Sequence, residues 1–344
     1  MTDQQTWLTF DEGVRAQPEA LDRATPDLID WIESGAADHL RGSSLLFAGI
    51  GASYAAAATP VYAAREAGIL AYRSGCSDVP NDGPALADAY IGISQGGRSR
   101  EPIQALLTVP REQRTAVVNA CGSPLASTAG TVLGLGDLAD SSMSSIAFTA
   151  TVVALGLLVD RLAGREVHPS WRTLGAASAE VVAEHDEALR AFGREIAARG
   201  SVDVVAAAAD LTSAEQGGLL FREGPGLPAT AMDTRSYLHG PMDCAGPATS
   251  HVLLGRAREG LLAEQLSEKG VPILLITDED IDAPASVLRI PSLPAAQRSV
   301  IEVALLQRLV QHTATALGRD IEVRAFTRYD TKVTSVQQVV EGTV

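Results

Sequence analysis

The sequence predicts an α/β protein built from two copies of one doubly wound parallel sheet, and three observations lead there. Short apolar, β-rich runs alternate with helix-like segments, as parallel βαβ units require. The runs recur in the same order in the two halves, offset by about 155 to 162 residues. The chain has 344 residues, and at about 150 residues per domain that is room for two units, each burying a core without a disulfide or metal.

The first 40 residues read as helical, with Pro26 after Thr25 suggesting a capped start at the first helical position. The strands of the first half are Leu45–Gly49, Leu70–Arg73, Ala89–Ile93, Ala116–Asn119 and Val132–Leu135, closed by a long Ala/Leu-rich helix over Ser144–Ala163. Those of the second half are Val202–Ala206, Ala229–Met232, His251–Leu254, Pro272–Ile276 and Val287–Ile290, closed by a helix over Ala296–Leu317. Between the halves, Pro169 and Trp171 precede a charged helical stretch, Glu180–Arg199, which puts the boundary near residue 175. The expected organisation is a helical segment over 1–40, a first domain over 41–175, a second over 176–318 and a tail over 319–344. That tail is polar and lacks a helical apolar face, so it is either disordered or lies across something.

Twenty-seven Lys and Arg against 42 Asp and Glu leave a net charge of −15. Nucleic-acid binding draws on a surplus of basic residues, and this chain has none. The same deficit argues against an anionic membrane surface, though a local pocket for one phosphate stays open. Cys76, Cys121 and Cys244 are odd in number and widely spaced, which fits a reducing compartment. The stretch from Met1 to Glu12 lacks the pattern of a secretory signal. The longest apolar run, Ile146–Val159, is broken by Thr149 and Thr151 and falls short of the roughly 20 residues a bilayer span needs. The expected location is the cytoplasm.

In open parallel sheets, ligands bind beyond the carboxyl ends of the strands. Two loops there are glycine-rich: Gly49-Ile50-Gly51-Ala52-Ser53-Tyr54, and Ser94-Gln95-Gly96-Gly97-Arg98-Ser99. The second has the parts of a phosphate cradle, since glycines let backbone N–H groups approach an anion, hydroxyls add donors and a helix start adds partial positive charge. Ser99 equally suits a helix N-cap, and the loop could be a tight polar turn. The first loop has the Gly-x-Gly of a dinucleotide fold, but Tyr54 stands at the third glycine position, which argues against it.

Glu223 ends a short helix candidate after the first strand of the second half, on the ligand side. Sixteen residues on, His239 precedes Gly240-Pro241 and so belongs on a loop or helix start. Each also suits a plain solvated role. His239 with Cys244 makes no metal site, because a second pair at zinc-like spacing is lacking. The chain has two lysines, Lys269 and Lys332. Arginine stays protonated near neutrality and does not form imines, so side-chain amine chemistry falls to one of these two. Lys269 reads as a solvated helix end, which leaves Lys332 as the candidate.

In these residues the chain resembles the double sugar-isomerase (SIS) proteins, above all the isomerase domain of glucosamine-6-phosphate synthase and stand-alone phosphosugar isomerases, deaminases and deglycases. The likeness covers nearly the whole chain. It implies two SIS domains, each a five-stranded, flavodoxin-like three-layer sandwich. Gly51-Ala52-Ser53-Tyr54 resembles the family's first phosphate-side loop, and Ser94 to Ser99 its Ser-Gln-Ser-Gly-Glu-Thr loop. The resemblance therefore implies that Gly51, Ser53, Ser94, Gln95, Gly96, Gly97 and Ser99 hold a sugar phosphate and that Ser144 contacts the sugar. Glu223 and His239 stand at the spacing of the family's catalytic Glu and His, and Lys332 resembles its tail lysine. Two departures bear on the chemistry: Leu220 stands where the synthase has a second lysine, and Gly96 and Arg98 replace Ser and Glu. Thr2 occupies the place of the synthase's nucleophilic cysteine, so no glutaminase activity is expected.

The implied activity is C1–C2 aldose–ketose isomerisation, deamination, or both, of a hexose or amino-sugar 6-phosphate. Glu223 would be the base, His239 the ring-opening acid/base donated across a homodimer interface, and Lys332 the imine-forming or carbonyl-polarising amine. No cofactor or metal is implied. The alternatives are a fructosamine-6-phosphate-type deglycase and a non-catalytic phosphosugar sensor.

Overall fold

The computed structural model describes residues 7–327, 329 and 331–341. The chain opens with β1 (Trp7–Leu8) and α1 (Phe10–Glu33). A first set follows: β2 (Leu45–Gly49), α2 (Ala52–Ala56), α3 (Ala58–Glu66), β3 (Ala71–Gly75), β4 (Ala89–Ile93), α4 (Arg100–Leu107), β5 (Arg114–Val118), α5 (Pro124–Thr128), β6 (Thr131–Gly134), β7 (Asp140–Ser141) and α6 (Ile146–Leu162). The connecting helix α7 (Leu174–Arg199) leads to β8 (Val202–Ala206), α8 (Leu211–Glu223), β9 (Ala229–Asp233), α9 (Thr234–Leu238), β10 (Ser250–Leu254), α10 (Ala257–Ser267), β11 (Ile273–Thr277), β12 (Ser286–Arg289), α11 (Ala295–Leu317) and α12 (Val336–Val340).

The two five-stranded sheets have the orders β3-β2-β4-β5-β6 and β9-β8-β10-β11-β12, one strand order used twice. Every pair within them is parallel. Central strands buried along their whole length, such as Ala89–Ile93 and Ile273–Thr277, read as continuous apolar runs because both faces are covered. The order reverses between β2 and β4 and again between β8 and β10, which opens a crevice at the carboxyl end of each sheet.

Helix α6 is buried all round from Ile146 to Val159 and packs against α1, α2, α3 and α11. The long apolar run is thus a core helix. Among the described residues no helix is long and apolar enough to cross a membrane. One apolar cluster extends from Phe10 through both sheets to Val310. Buried hydroxyls fasten the two sets of elements: Thr59 N donates to Thr212 Oγ1 at 2.9 Å, and Thr212 Oγ1 to the Ala55 carbonyl at 2.8 Å. Gly175 lets α7 approach α1, because a Cβ there would overlap the Pro18 carbonyl oxygen.

The start of α1 differs from expectation. Pro26 lies inside the helix, as does Pro18, and the N-cap is Thr9 in a capping box with Glu12. The helix tolerates both prolines because packing against α6 and α7 holds its buried face, and Thr25 Oγ1 bonds back to the Leu21 carbonyl at 2.7 Å. Strand β5 begins at Arg114 rather than Ala116, since the arginine's aliphatic stem is half-buried while its Nε donates to the Val109 carbonyl at 2.7 Å.

The polar tail lies across the molecule. Gly318, at φ +64°, ends α11. Glu322 Oε1 then accepts from Phe10 N at 2.7 Å, and Arg324 Nη2 donates to the Ser142 carbonyl at 2.9 Å. Lys332 pairs with Ser99 in an isolated antiparallel bridge. Val333 is buried in a second apolar cluster with residues of α4 and α5, and α12 packs on those two helices.

Candidate functional site

The loop from Ser94 to Ser99 leaves β4 at the switch point of the first sheet. Ser94 N donates to the Val117 carbonyl at 3.1 Å, and the Gln95 carbonyl accepts from Asn119 N at 2.8 Å, so the loop is held to the end of β5. Gly97 turns it at φ +58°, with its N–H on the Ser94 carbonyl at 3.0 Å. A side chain at Gly97 is excluded twice: that φ disfavours L residues, and a Cβ would overlap Ser123 Oγ. Nothing lies within 4 Å of a Cβ built on Gly96, so the loop is open on that side.

Ser99 occupies the N-cap position of α4, yet its hydroxyl makes no capping bond. Instead it accepts from Lys332 Nζ at 2.8 Å and from Ser94 Oγ at 3.3 Å. The tail backbone fixes this meeting, with Val333 N donating to the Arg98 carbonyl at 2.8 Å. An ammonium group is thereby delivered to a loop of hydroxyls and amides at a helix start, an arrangement that favours an anion.

The Gly51 loop stands beside it, at the end of β2. Gly49 lets α2 approach β2, since a Cβ would lie 2.7 Å from the Ser53 carbonyl carbon. The Tyr54 ring is covered by the Arg73 guanidinium at 4.2 Å, and Arg73 pairs with Glu215 of α8 through bonds of 2.5 and 2.7 Å. Gly51 has φ +57° and Ser53 is half-buried in the first turn of α2.

Ser144 lies in the turn before α6 and donates to Asp140 Oδ2 at 2.7 Å. Gln95 Nε2 donates to the same oxygen at 2.9 Å. Asp140 is fully buried, and burial pushes its carboxyl above the usual carboxylate range against the pull of its hydrogen bonds. Sequence reasoning missed this residue. The signal was an acid in a run of small residues, Asp140-Ser141-Ser142-Met143-Ser144-Ser145, just before an entirely apolar helix.

Glu223 is half-buried at the last position of α8. The next residue, Gly224, packs on Met143, where a Cβ would stand 3.2 Å from the Met143 methyl carbon, and Arg319 of the tail covers Gly226. The end of α8, the Ser142–Ser144 turn and the tail are therefore neighbours. Leu220 is buried in the core. His239 stands apart: it closes α9 before the turn Pro241–Cys244, is exposed, and among the described residues its ring makes no hydrogen bond. The structure thus joins Ser94, Ser99 and Lys332 in one hydrogen-bonded group and Gln95 with Ser144 in another.

The carboxyl end of the second sheet is furnished differently. Asp210, after β8, is buried and bonded to the buried Arg298, whose guanidinium also lies 3.3 Å from Glu302 and 3.9 Å from Asp278. Burial pushes the Glu302 carboxyl up to about 8, and the nearby Asp210 charge adds to the shift. After β10, the buried Glu259 accepts from Arg256 N at 2.9 Å and from Thr234 Oγ1 at 2.5 Å.

The sequence matches no family model and no curated protein. Solved structures do share the fold. The C-terminal domain of glucosamine-fructose-6-phosphate aminotransferase from Francisella tularensis superposes with a TM-score of 0.81 at 16% identity, covering 93% of this chain and 99% of its own. Glucosamine-6-phosphate deaminase from Thermotoga maritima gives 0.77 at 16% identity, covering 93% and 98%. Tagatose-6-phosphate ketose/aldose isomerase from Escherichia coli gives 0.75 at 15% identity, covering 94% and 97%. The likeness is one of fold, along nearly the whole length: this chain has the two-sheet SIS fold of those proteins.

Proposed function

We propose that this protein binds a hexose or amino-sugar 6-phosphate and catalyses C1–C2 aldose–ketose isomerisation, deamination, or both. The observation that carries the reading is the 2.8 Å bond from Lys332 Nζ to Ser99 Oγ, which brings a cation to the hydroxyl-rich loop at the switch point. Phosphosugar enzymes among the proteins of the same fold support it. Residues 41–175 supply the phosphate loops, with Gly51, Ser53, Ser94, Gln95, Gly96, Gly97 and Ser99 around the phosphate and Ser144 on the sugar. Residues 176–318 supply Glu223 and His239.

In the forward isomerisation, Glu223 takes the proton from C2 of the open-chain aldose and returns it to C1, while the O2 proton passes to O1, so the formula is unchanged. Lys332 polarises the carbonyl or forms an imine with the ketose, with loss of one water. His239 opens the ring. Its exposed, unbonded imidazole is suited to serve a second copy of the chain, and a homodimer with the site at the subunit interface forms part of the reading. Cys76, Cys121 and Cys244 are free thiols, which supports a reducing compartment, the cytoplasm.

A second reading, a phosphosugar sensor without catalysis, draws on Leu220, an apolar core residue at the place of a second lysine. Two measurements divide the readings. A melting-temperature screen with glucosamine 6-phosphate, tagatose 6-phosphate and the unphosphorylated sugars is expected to give a rise only with a phosphosugar. Glu223→Gln is expected to abolish turnover and retain that rise. A wild-type protein that binds without turnover is the sensor, and one that binds no phosphosugar removes the whole reading.

A further inference from the structure

Asp140 gathers five donors on one buried carboxylate. Oδ1 accepts from Ser145 N at 2.9 Å, Ile146 N at 2.9 Å and Ser145 Oγ at 3.0 Å. Oδ2 accepts from Ser144 Oγ at 2.7 Å and Gln95 Nε2 at 2.9 Å. Among the described residues no cationic side chain lies within 4 Å of it; donors alone satisfy it, among them the N–H groups at the start of the 17-residue helix α6.

This network fixes polarity as well as position. A serine whose hydroxyl hydrogen is committed to a carboxylate offers lone pairs to anything else it meets. A glutamine amide that must turn its nitrogen to a carboxylate presents its carbonyl oxygen at the other corner. Ser144 and Gln95 are both half-buried, so each keeps some surface for a ligand, whereas Asp140 has none.

We propose that Asp140 is a positioning residue that presents Ser144 and Gln95 to the ligand as hydrogen-bond acceptors, so that this part of the site reads donor groups of the sugar, hydroxyl or amine, while the phosphate is read by the hydroxyls and amides of the Ser94–Ser99 loop. The proposal rests on the phosphosugar reading and refines the part given there to Gln95. It divides the site by chemistry, with acceptors under the sugar and donors around the phosphate.

Asp140→Asn tests it. The asparagine keeps the shape and one acceptor oxygen for the helix start, but its amide nitrogen donates, so Ser144 or Gln95 must reverse and offer a hydrogen to the ligand. The expected result is a loss of tenfold or more in affinity for glucosamine 6-phosphate or tagatose 6-phosphate, with inorganic phosphate binding within about twofold of wild type. Adding Gln95→Glu restores an acceptor at residue 95 opposite the new donor and is expected to recover part of the loss. If Asp140→Asn does not fold, Ser144→Ala removes one acceptor alone and is expected to weaken the phosphosugar and spare phosphate. Equal losses for phosphosugar and phosphate, or no loss for either, overturn the proposal. Wild-type protein that binds neither ligand overturns the phosphosugar reading beneath it.

Discussion

At the carboxyl end of the first sheet, β2 runs into Gly51 and β4 into Ser94 to Ser99, with hydroxyls, backbone amides and the ammonium of Lys332 turned to one another. At the same end of the second sheet, β8 runs into Asp210 and β10 into Glu259, and buried arginine and backbone donors already hold those carboxylates. Strand order and helix placement are alike in the two. The difference teaches that the crevice of a doubly wound sheet is an opportunity the fold provides and the loop residues either leave open or close. In the second sheet the chain's own buried acids and Arg298 occupy that end, and the end of α8 rather than the switch point carries its candidate base.

The largest effect in breaking this comparison is expected from Arg298→Leu. It leaves buried Asp210 without its guanidinium partner, and a buried charge stripped of its partner costs about 3–5 kcal/mol, to be read by urea unfolding. A loss under about 1 kcal/mol would mean that Asp210 is not charged in the folded protein and that the second end is not closed by ion pairing. Gly97→Ala comes next. A residue with a Cβ at φ +58° against Ser123 costs about 1–3 kcal/mol. Because the strain falls on the loop itself, phosphosugar affinity is expected to drop more than tenfold in the protein that remains folded.

Ser99→Ala sharpens the first side of the comparison. It removes the hydroxyl between Lys332 and Ser94 and is expected to weaken phosphosugar binding about tenfold, ~1.4 kcal/mol, by calorimetric titration, with little change in melting temperature because that hydroxyl caps no helix. A last effect concerns pH. Folded Glu302 holds its proton up to about pH 8, whereas its ordinary value is 4.5. The folded state therefore binds more protons than the unfolded one between those values, and stability declines as the pH rises through that window. Glu302→Gln is expected to flatten the decline when urea midpoints are compared from pH 5 to 8, and an unchanged slope would assign the decline to other groups.

The fold was legible where burial repeats. Ala89–Ile93 and Val202–Ala206 are bounded as the sequence reading has them, because strands covered on both faces are apolar almost throughout, Asp203 being the one charged residue in the two. β1 and β7 were not legible: two residues carry no periodicity, and their pairing, Trp7 with Asp140 and Leu8 with Ser141, is a tertiary fact. The start of α1 was hidden because two prolines inside a helix look like its boundaries, and only the packing of α1 on α6 and α7 overrides that local preference. In the candidate site, the glycines and hydroxyls of the Ser94 loop suggested an anion cradle through residue type alone. Lys332 drew notice by the scarcity of lysines, but its arrival at Ser99 depends on a backbone bridge that no spacing encodes. Asp140 escaped because its partners come from a loop 45 residues away and from a helix start, and an acid among serines ordinarily reads as a turn.

Lys332 follows Ser99 by 233 residues. On a ribosome adding about 5–20 residues per second, the serine loop is made roughly 10 to 50 s before the lysine that completes it. Through that interval the Ser94–Ser99 loop lacks the ammonium group that its hydroxyls meet in the full-length chain. Completion of the cluster is thus a late event in the life of each molecule, set by translation and the docking of the tail.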